Sequence, residues 1–378
     1  MIIMFAKPGK IGNLEIKNRF VRSATYEGLA TEKGEITEKL IKFYQTLAEG
    51  GSGLIITSYC FVQENGRAQE KQIAVYNDSF IPGLRKIAEV IHKHGNESKT
   101  ALQIVHAGRQ SHYVKQTIAP SAVMENFMGI MPKEMTKDEI EEVAEAFSQA
   151  VRRSKEAGYD AVQLHGAHGY LISQFLSSYT NKRTDEYGGS IENRIRFVEN
   201  IYKRSRELVG NDFPILIKMN CDDFLEGGIT LEESKKITKM LSNIGFDAIE
   251  LSSCMWETVK RKKKDLGWRP TFIPESRMSI GIMNKPAYHL PYAREIKKEV
   301  DIPLILVGGI NSSKLVEDIL QSGDADFVSF SRPLIREPDL PKRWMKGIGS
   351  ELVECEYCNS CLLTLAKEGL HCTKKEES

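Results

Sequence analysis

The stretch KDEIEEVAEAFSQAVRRSKEAGYDAVQLHGAHGY, residues 137–170, decides the fold. Lys137–Ala157 is an amphipathic helical pattern, and Ala161–His165 is a short run suited to a strand. Polar residues collect directly behind that run. The next helical pattern, Ile191–Leu208, begins a further turn of the same alternation.

Outward from this unit the alternation continues to both ends of the chain. Strands are expected at Arg19–Ser23, Leu54–Thr57, Ala101–Val105, Ala161–His165, Ile215–Met219, Ala248–Leu251, Leu304–Val307 and Phe327–Phe330. Helical patterns follow them, Leu231–Asn243 and Ser312–Gln321 among them. Repeated strand-then-helix units call for a parallel sheet with right-handed crossovers. An open doubly wound sheet satisfies the same pattern. Eight units, and no GxGxxG after the first strand, favour the closed α/β barrel, a (β/α)8 TIM barrel, over residues 1–350. A short cysteine-rich tail follows over residues 351–378.

Barrel chemistry lies at the C-terminal ends of strands. Two long connections, Gln110–Thr136 and Ser252–Lys285, are therefore expected to wall a site on that face. The basic run Lys260–Lys264 reads as solvated loop surface.

The formal net charge of +1 gives no reason to expect nucleic acid or an anionic membrane as a partner. The N-terminus lacks a basic region followed by an apolar core, and nowhere do 18 uncharged apolar residues run together. A cytoplasmic enzyme is expected. Seven cysteines, an odd number without a secretory signal, argue against a disulfide framework. Four of them, Cys355, Cys358, Cys361 and Cys372, fall close together in the tail and look like a metal site.

Behind strand four stand His165, His168 and Tyr170. Two imidazoles three residues apart can donate to one oxygen, and a phenol nearby can donate a proton. A buried polar network or a two-histidine metal site are the alternatives, although no third ligand has clear spacing. Other strand ends present Ser23, Ala24 and Thr25, then Gln103 and His106, then Lys218. Gly308 and Gly309 follow strand seven, and Ser331 and Arg332 follow strand eight. Glycine backbone N–H groups and an arginine at those two strands suit a phosphate.

NRFVRSAT (18–25), ALQIVHAGR (101–109), QLHGAHGYLISQFLSSYTNKRTDEYGGSIENRIRF (163–197), ILIKMN (215–220), ILVGGI (305–310) and VSFSRPLIREPDLP (328–341) resemble the successive motifs of the Old Yellow Enzyme superfamily. The subgroup most resembled holds the flavin barrels of 2,4-dienoyl-CoA reductase and trimethylamine dehydrogenase. The resemblance covers nearly the whole chain and is most specific over His165–Phe197.

The resemblance implies FMN as cofactor and NAD(P)H as electron donor. By position, Thr25 contacts the flavin near N5, the backbone at Tyr59 passes the ring, and Gln103 meets the pyrimidine edge. Lys218 stands where an arginine usually lies beside N1, and Gly308, Gly309, Ser331 and Arg332 match the phosphate grip. His165 and His168 match the pair that holds a substrate carbonyl, and Tyr170 matches the proton donor. The implied reaction carries hydride from NAD(P)H to the flavin, then to the β-carbon of an α,β-unsaturated carbonyl. Oxidation of an amine, or electron transfer to a protein partner, is the alternative that the same barrel allows.

Departures from the pattern bear on the substrate. Glu27 stands where some relatives carry a substrate-binding tyrosine, implying a more polar substrate pocket. Lysine and arginine are not interchangeable at position 218. The spacing Cys355-x2-Cys358-x2-Cys361-x10-Cys372 suits tetrahedral zinc or a [4Fe–4S] cluster. The resemblance implies the cluster, with a redox protein such as ferredoxin as partner. Zinc and an unmetallated tail stay open, since the chain is expected to lack the FAD-binding domain of the larger reductases. Relatives form dimers or tetramers, so a homo-oligomer is expected.

Overall fold

The computed structural model describes residues 3–375 apart from 112, 283 and 366. Eight parallel strands close into a barrel: β1 (Phe20–Arg22), β2 (Leu54–Phe61), β3 (Lys99–Val105), β4 (Ala161–Gly166), β5 (Ile215–Asn220), β6 (Ala248–Ser252), β7 (Leu304–Val307) and β8 (Phe327–Phe330). Each pairs with its neighbour in chain order, and β8 pairs with β1 through Val328 opposite Phe20. Helices ring the outside, among them α1 (Glu38–Glu49), α2 (Ile81–His94), α3 (Lys137–Glu156), α4 (Arg196–Val209), α5 (Leu231–Ile244), α6 (Leu290–Lys297) and α7 (Ser313–Ser322). No helix among the described residues is long and apolar enough to cross a membrane.

Strand alternation divides each sequence between two cores. Ile55, Leu102, Val162, Ile217 and Ile249 face outward and pack with the helices in the large outer cluster. Ile56, Ala101, Ala161, Leu216, Ala248 and Phe327 face inward. Their small apolar layer is closed from the strand-start end by the hairpin Gly9–Ile11 and Leu14–Ile16, which inserts Ile11 and Ile16. Two residues further along the strands the inward positions become polar: Gln103, Gln163, Lys218, Glu250 and Ser329, all buried. The barrel interior thus grades from an apolar plug to a polar floor. That floor is where the site begins.

β2 runs four residues beyond the expected Leu54–Thr57, through a bulge between Thr57 and Tyr59. The extra residue breaks the period of two, so the strand pattern fades in the sequence while pairing with β3 continues to Phe61. Its effect is to aim Tyr59 at the cavity. The pattern Ile191–Leu208 is divided at Ile195 into Ile191–Arg194 and α4. Lys260, Lys262, Lys263 and Lys264 are exposed, as expected for that run.

Candidate active site

A cavity of about 500 Å³ opens at the C-terminal ends of the strands. Its walls bring together Ser23, Ala24 and Thr25 after β1, Tyr59 of β2, and Gln103 of β3. His165, His168 and Tyr170 come from β4 and its loop, and Lys218 from β5. Gly308 and Gly309 after β7 face Ser331 and Arg332 after β8. Residues up to 309 positions apart in sequence share one space because every strand delivers its end to the same rim.

The floor is a hydrogen-bonded network centred on Glu250. Its carboxylate accepts from Ser23 Oγ at 2.7 Å, Ser329 Oγ at 2.8 Å and Gln163 Nε2 at 3.0 Å. Gln103 Nε2 in turn donates to Gln163 Oε1 at 2.7 Å. Lys218 Nζ donates to Ser23 Oγ at 2.9 Å and lies 3.5 Å from Glu250. A buried charge is tolerated only when paired and hydrogen-bonded, and this network supplies both conditions. It holds a fixed cation beneath the cavity.

On the β4 wall the His165 and His168 rings stand 5.1 Å apart, and His165 lies 4.8 Å from the Tyr170 ring. Burial, then the charge of Lys218, holds His165 far below the usual histidine range. Burial does so for His168, with His165, Lys218 and His289 adding to it. Both rings are neutral at pH 7. The Ala167 N–H donates to His165 Nδ1 at 3.3 Å, which leaves the ring proton on Nε2. His168 Nε2 meets Ser252 Oγ at 2.6 Å, and its backbone has φ of 59°. That left-handed conformation turns the side chain back over the strand end, a strain of the kind found at functional sites. Burial raises the Tyr170 phenol, so it carries its proton, while a hydrogen bond from Tyr59 works in the opposite direction.

At the far end Gly308 and Gly309 have φ of 115° and 71°. A Cβ on either would meet the Tyr288 ring at 2.7 and 2.8 Å respectively, so only glycine leaves the backbone in this position. Thr25 Oγ1 and Ser331 Oγ pair at 2.8 Å beside Arg332. Backbone, hydroxyls and guanidinium make an anion cradle at one end, with a cation under the middle and donors along one wall. This donor set fits the phosphate, pyrimidine and N5 ends of FMN.

Two of the singled-out residues lie elsewhere. His106 is buried against Asn65, whose Oδ1 is 3.1 Å from its Nε2, and does not line the cavity. Glu27, expected to bind substrate, is buried beneath the rim and accepts a hydrogen bond from Tyr44 of α1. Tyr44 also accepts from the Ser58 N–H at 2.8 Å, so the bulge of β2 and α1 together draw this carboxyl out of the pocket. Burial pushes Glu27 up to about 7, with Arg22 opposing. Its raised folded-state value makes stability fall as pH rises from about 4.5 through about 7, by on the order of 3 kcal/mol. Glu27→Gln is expected to flatten that part of the pH–stability curve in denaturant melts. Parallel curves for variant and wild type would contradict it.

The Ser252–Lys285 connection contributes what the sequence reading missed. Trp256 and Glu275 line the cavity, with Tyr288 and His289 just beyond the connection. Glu275 Oε1 lies 4.0 Å from His168 Nδ1, and Oε2 is buried without a hydrogen-bond partner among the described residues. Burial pushes this carboxyl up to about 7 against the pull of Lys218 and Arg332. His289 is held between Ser253 Oγ at 2.8 Å and the Val307 carbonyl at 2.7 Å. No period marks this loop, so nothing local announced these residues.

The four tail cysteines line one small cavity against Arg332, Ile335 and Arg336. Burial raises the Cys355 thiol to about 12. Among the described residues no three His, Cys, Asp or Glu groups stand where they could hold one metal ion.

The fold and site together are a closed barrel with an anion cradle at strands seven and eight and a buried lysine under its centre. Residues 4–351 match the NADH:flavin oxidoreductase / NADH oxidase family, and the chain belongs to it, within the Old Yellow Enzyme superfamily. It is 40% identical over 356 residues to an NADH oxidase of Thermoanaerobacter brockii, covering 93% of this chain and 52% of that one. An NADPH dehydrogenase of a Geobacillus species is 36% identical over 353 residues, covering 93% and 96%. The structure of a 2-naphthoyl-CoA reductase with 2-naphthoyl-CoA superposes with a TM-score of 0.86 at 30% identity, covering 95% of this chain and 54% of that one. The chain spans about half the length of the NADH oxidase and of the 2-naphthoyl-CoA reductase.

Proposed function

We propose that this chain is an FMN-dependent oxidoreductase that takes hydride from NAD(P)H and reduces the C=C bond of α,β-unsaturated carbonyl compounds. The observation that carries the reading is the convergence of His165, His168 and Tyr170 on one cavity wall, above the Lys218 cation. Bound FMN supplies the hydride acceptor and donor. Lys218 stabilises negative charge at the pyrimidine end, and the Gly308–Gly309 backbone with Arg332 holds the phosphate. The neutral imidazoles donate to the substrate carbonyl oxygen as enolate charge develops. Tyr170 delivers the proton to the α-carbon, so the substrate gains one hydride and one proton. Anaerobic bleaching by NADH or NADPH, followed by reoxidation with 2-cyclohexenone, tests this. Bleaching without reoxidation by any enone in a panel would overturn it.

Glu275 favours a second reading. A carboxyl with one buried oxygen left without a hydrogen-bond partner, in a cavity walled by Tyr59, Tyr170 and Trp256, suits a cationic amine, through charge and ring faces together. In that case an amine, rather than NAD(P)H, bleaches the flavin.

The shared cavity of Cys355, Cys358, Cys361 and Cys372 supports a [4Fe–4S] cluster that relays single electrons, with a redox protein such as ferredoxin as partner. Anaerobically purified protein is expected to be brown, with about four irons per chain and an EPR signal on reduction. Zinc without iron in elemental analysis would leave a flavin reductase with a structural tail.

A further inference from the structure

The loop that carries the cysteines turns two other side chains toward Arg332. Asn359, between Cys358 and Ser360, is 5% exposed and has φ of 63°, a left-handed conformation that asparagine tolerates better than most residues. Its Oδ1 accepts from Arg332 Nη1 at 2.6 Å, and its Nδ2 donates to the Ser276 carbonyl at 2.9 Å. Tyr357 lies on the other side of the same guanidinium, its ring centroid 4.9 Å from Arg332 Cζ. The Tyr357 hydroxyl donates to the Ile310 carbonyl at 2.6 Å, one residue beyond the glycine cradle. Among the described residues the Asn359 contact is the single hydrogen bond the Arg332 side chain makes, although a guanidinium has five donors. Arg332 also lines both cavities, the large one and the small one formed by the cysteines.

We propose that Asn359 and Tyr357 are positioning residues for Arg332, which makes the cysteine loop and the phosphate end of the flavin cavity one linked binding unit. The proposal rests on reading Arg332 as the phosphate ligand. An unsupported arginine samples many rotamers, and ordering it consumes part of the binding energy of its ligand. Here the ring fixes the guanidinium plane, the amide fixes its rotation, and the remaining donors are left for the anion. Both supports flank Cys358 directly, and Cys355 and Cys361 lie two residues beyond them. Whatever orders that loop therefore strengthens the phosphate grip, and a bound phosphate orders the loop by the same factor.

Full-length protein stripped of flavin, titrated with FMN and with riboflavin by fluorescence quenching, tests this. Riboflavin lacks the phosphate, so it reports the rest of the site. Asn359→Ala is expected to weaken FMN by about 10-fold and to leave riboflavin affinity unchanged. Tyr357→Leu should give the same pattern and replaces Asn359→Ala if that variant does not fold. Cys358→Ser, which changes the residue between the two supports, itself no hydrogen-bond partner of Arg332, should also lose FMN selectively. Unchanged FMN affinity in the Asn359 and Tyr357 variants, or an equal loss of both flavins, overturns the positioning role. Unchanged FMN affinity in Cys358→Ser overturns the link to the cysteines. Wild type that binds FMN no tighter than riboflavin would instead remove the phosphate-site reading itself.

Discussion

Tyr170→Phe is expected to slow flavin reoxidation by an enone by about 10²–10⁴-fold, while flavin reduction by NAD(P)H stays near the wild-type rate. The substitution removes one oxygen and keeps the ring that packs against His165 and Tyr59 at 4.8 and 5.6 Å, so the cavity wall survives. Burial keeps the phenol protonated, as a proton donor requires. Only the second half-reaction consumes that proton, which is why the two halves should separate in stopped-flow absorbance. A residual rate is expected through Tyr59, whose hydroxyl is the hydrogen-bond neighbour of Tyr170. Equal rates for variant and wild type with an enone would show that the proton comes from another group.

Arg332→Ala is expected to weaken FMN retention on the order of 10- to 100-fold, because a charge-assisted contact to the phosphate is lost. The loss should exceed that of Asn359→Ala, which misaims the guanidinium but leaves its charge in place. Flavin-to-protein ratio after gel filtration and the dissociation constant for FMN both report it. Equal occupancy in variant and wild type would contradict the phosphate assignment. The Gly308–Gly309 backbone should retain part of the binding, since its N–H groups do not depend on the arginine.

The sequence by itself determined the barrel and most of the cavity. Strand period and helix period are local properties, and Leu304–Val307 and Phe327–Phe330 agree with the structure at both ends. Because a barrel delivers every strand end to one face, position alone collected Thr25, Gln103, His165, His168, Tyr170, Lys218, Gly309 and Arg332. The tertiary structure decided the rest. The bulge before Tyr59 breaks the alternation that a local reading depends on. Glu27 sits two residues beyond Thr25, yet Tyr44 of α1 holds it outside the cavity, a contact no local pattern records. Gln163 and Glu250 are legible as inward polar positions, but their role as the support of Lys218 exists only once β4, β5 and β6 are side by side. Glu275 and Trp256 lie on a connection without a period, and Asn359 reaches Arg332 from 27 residues away. Such placements follow from long-range packing, in which the partner, not the neighbouring sequence, sets where a side chain ends.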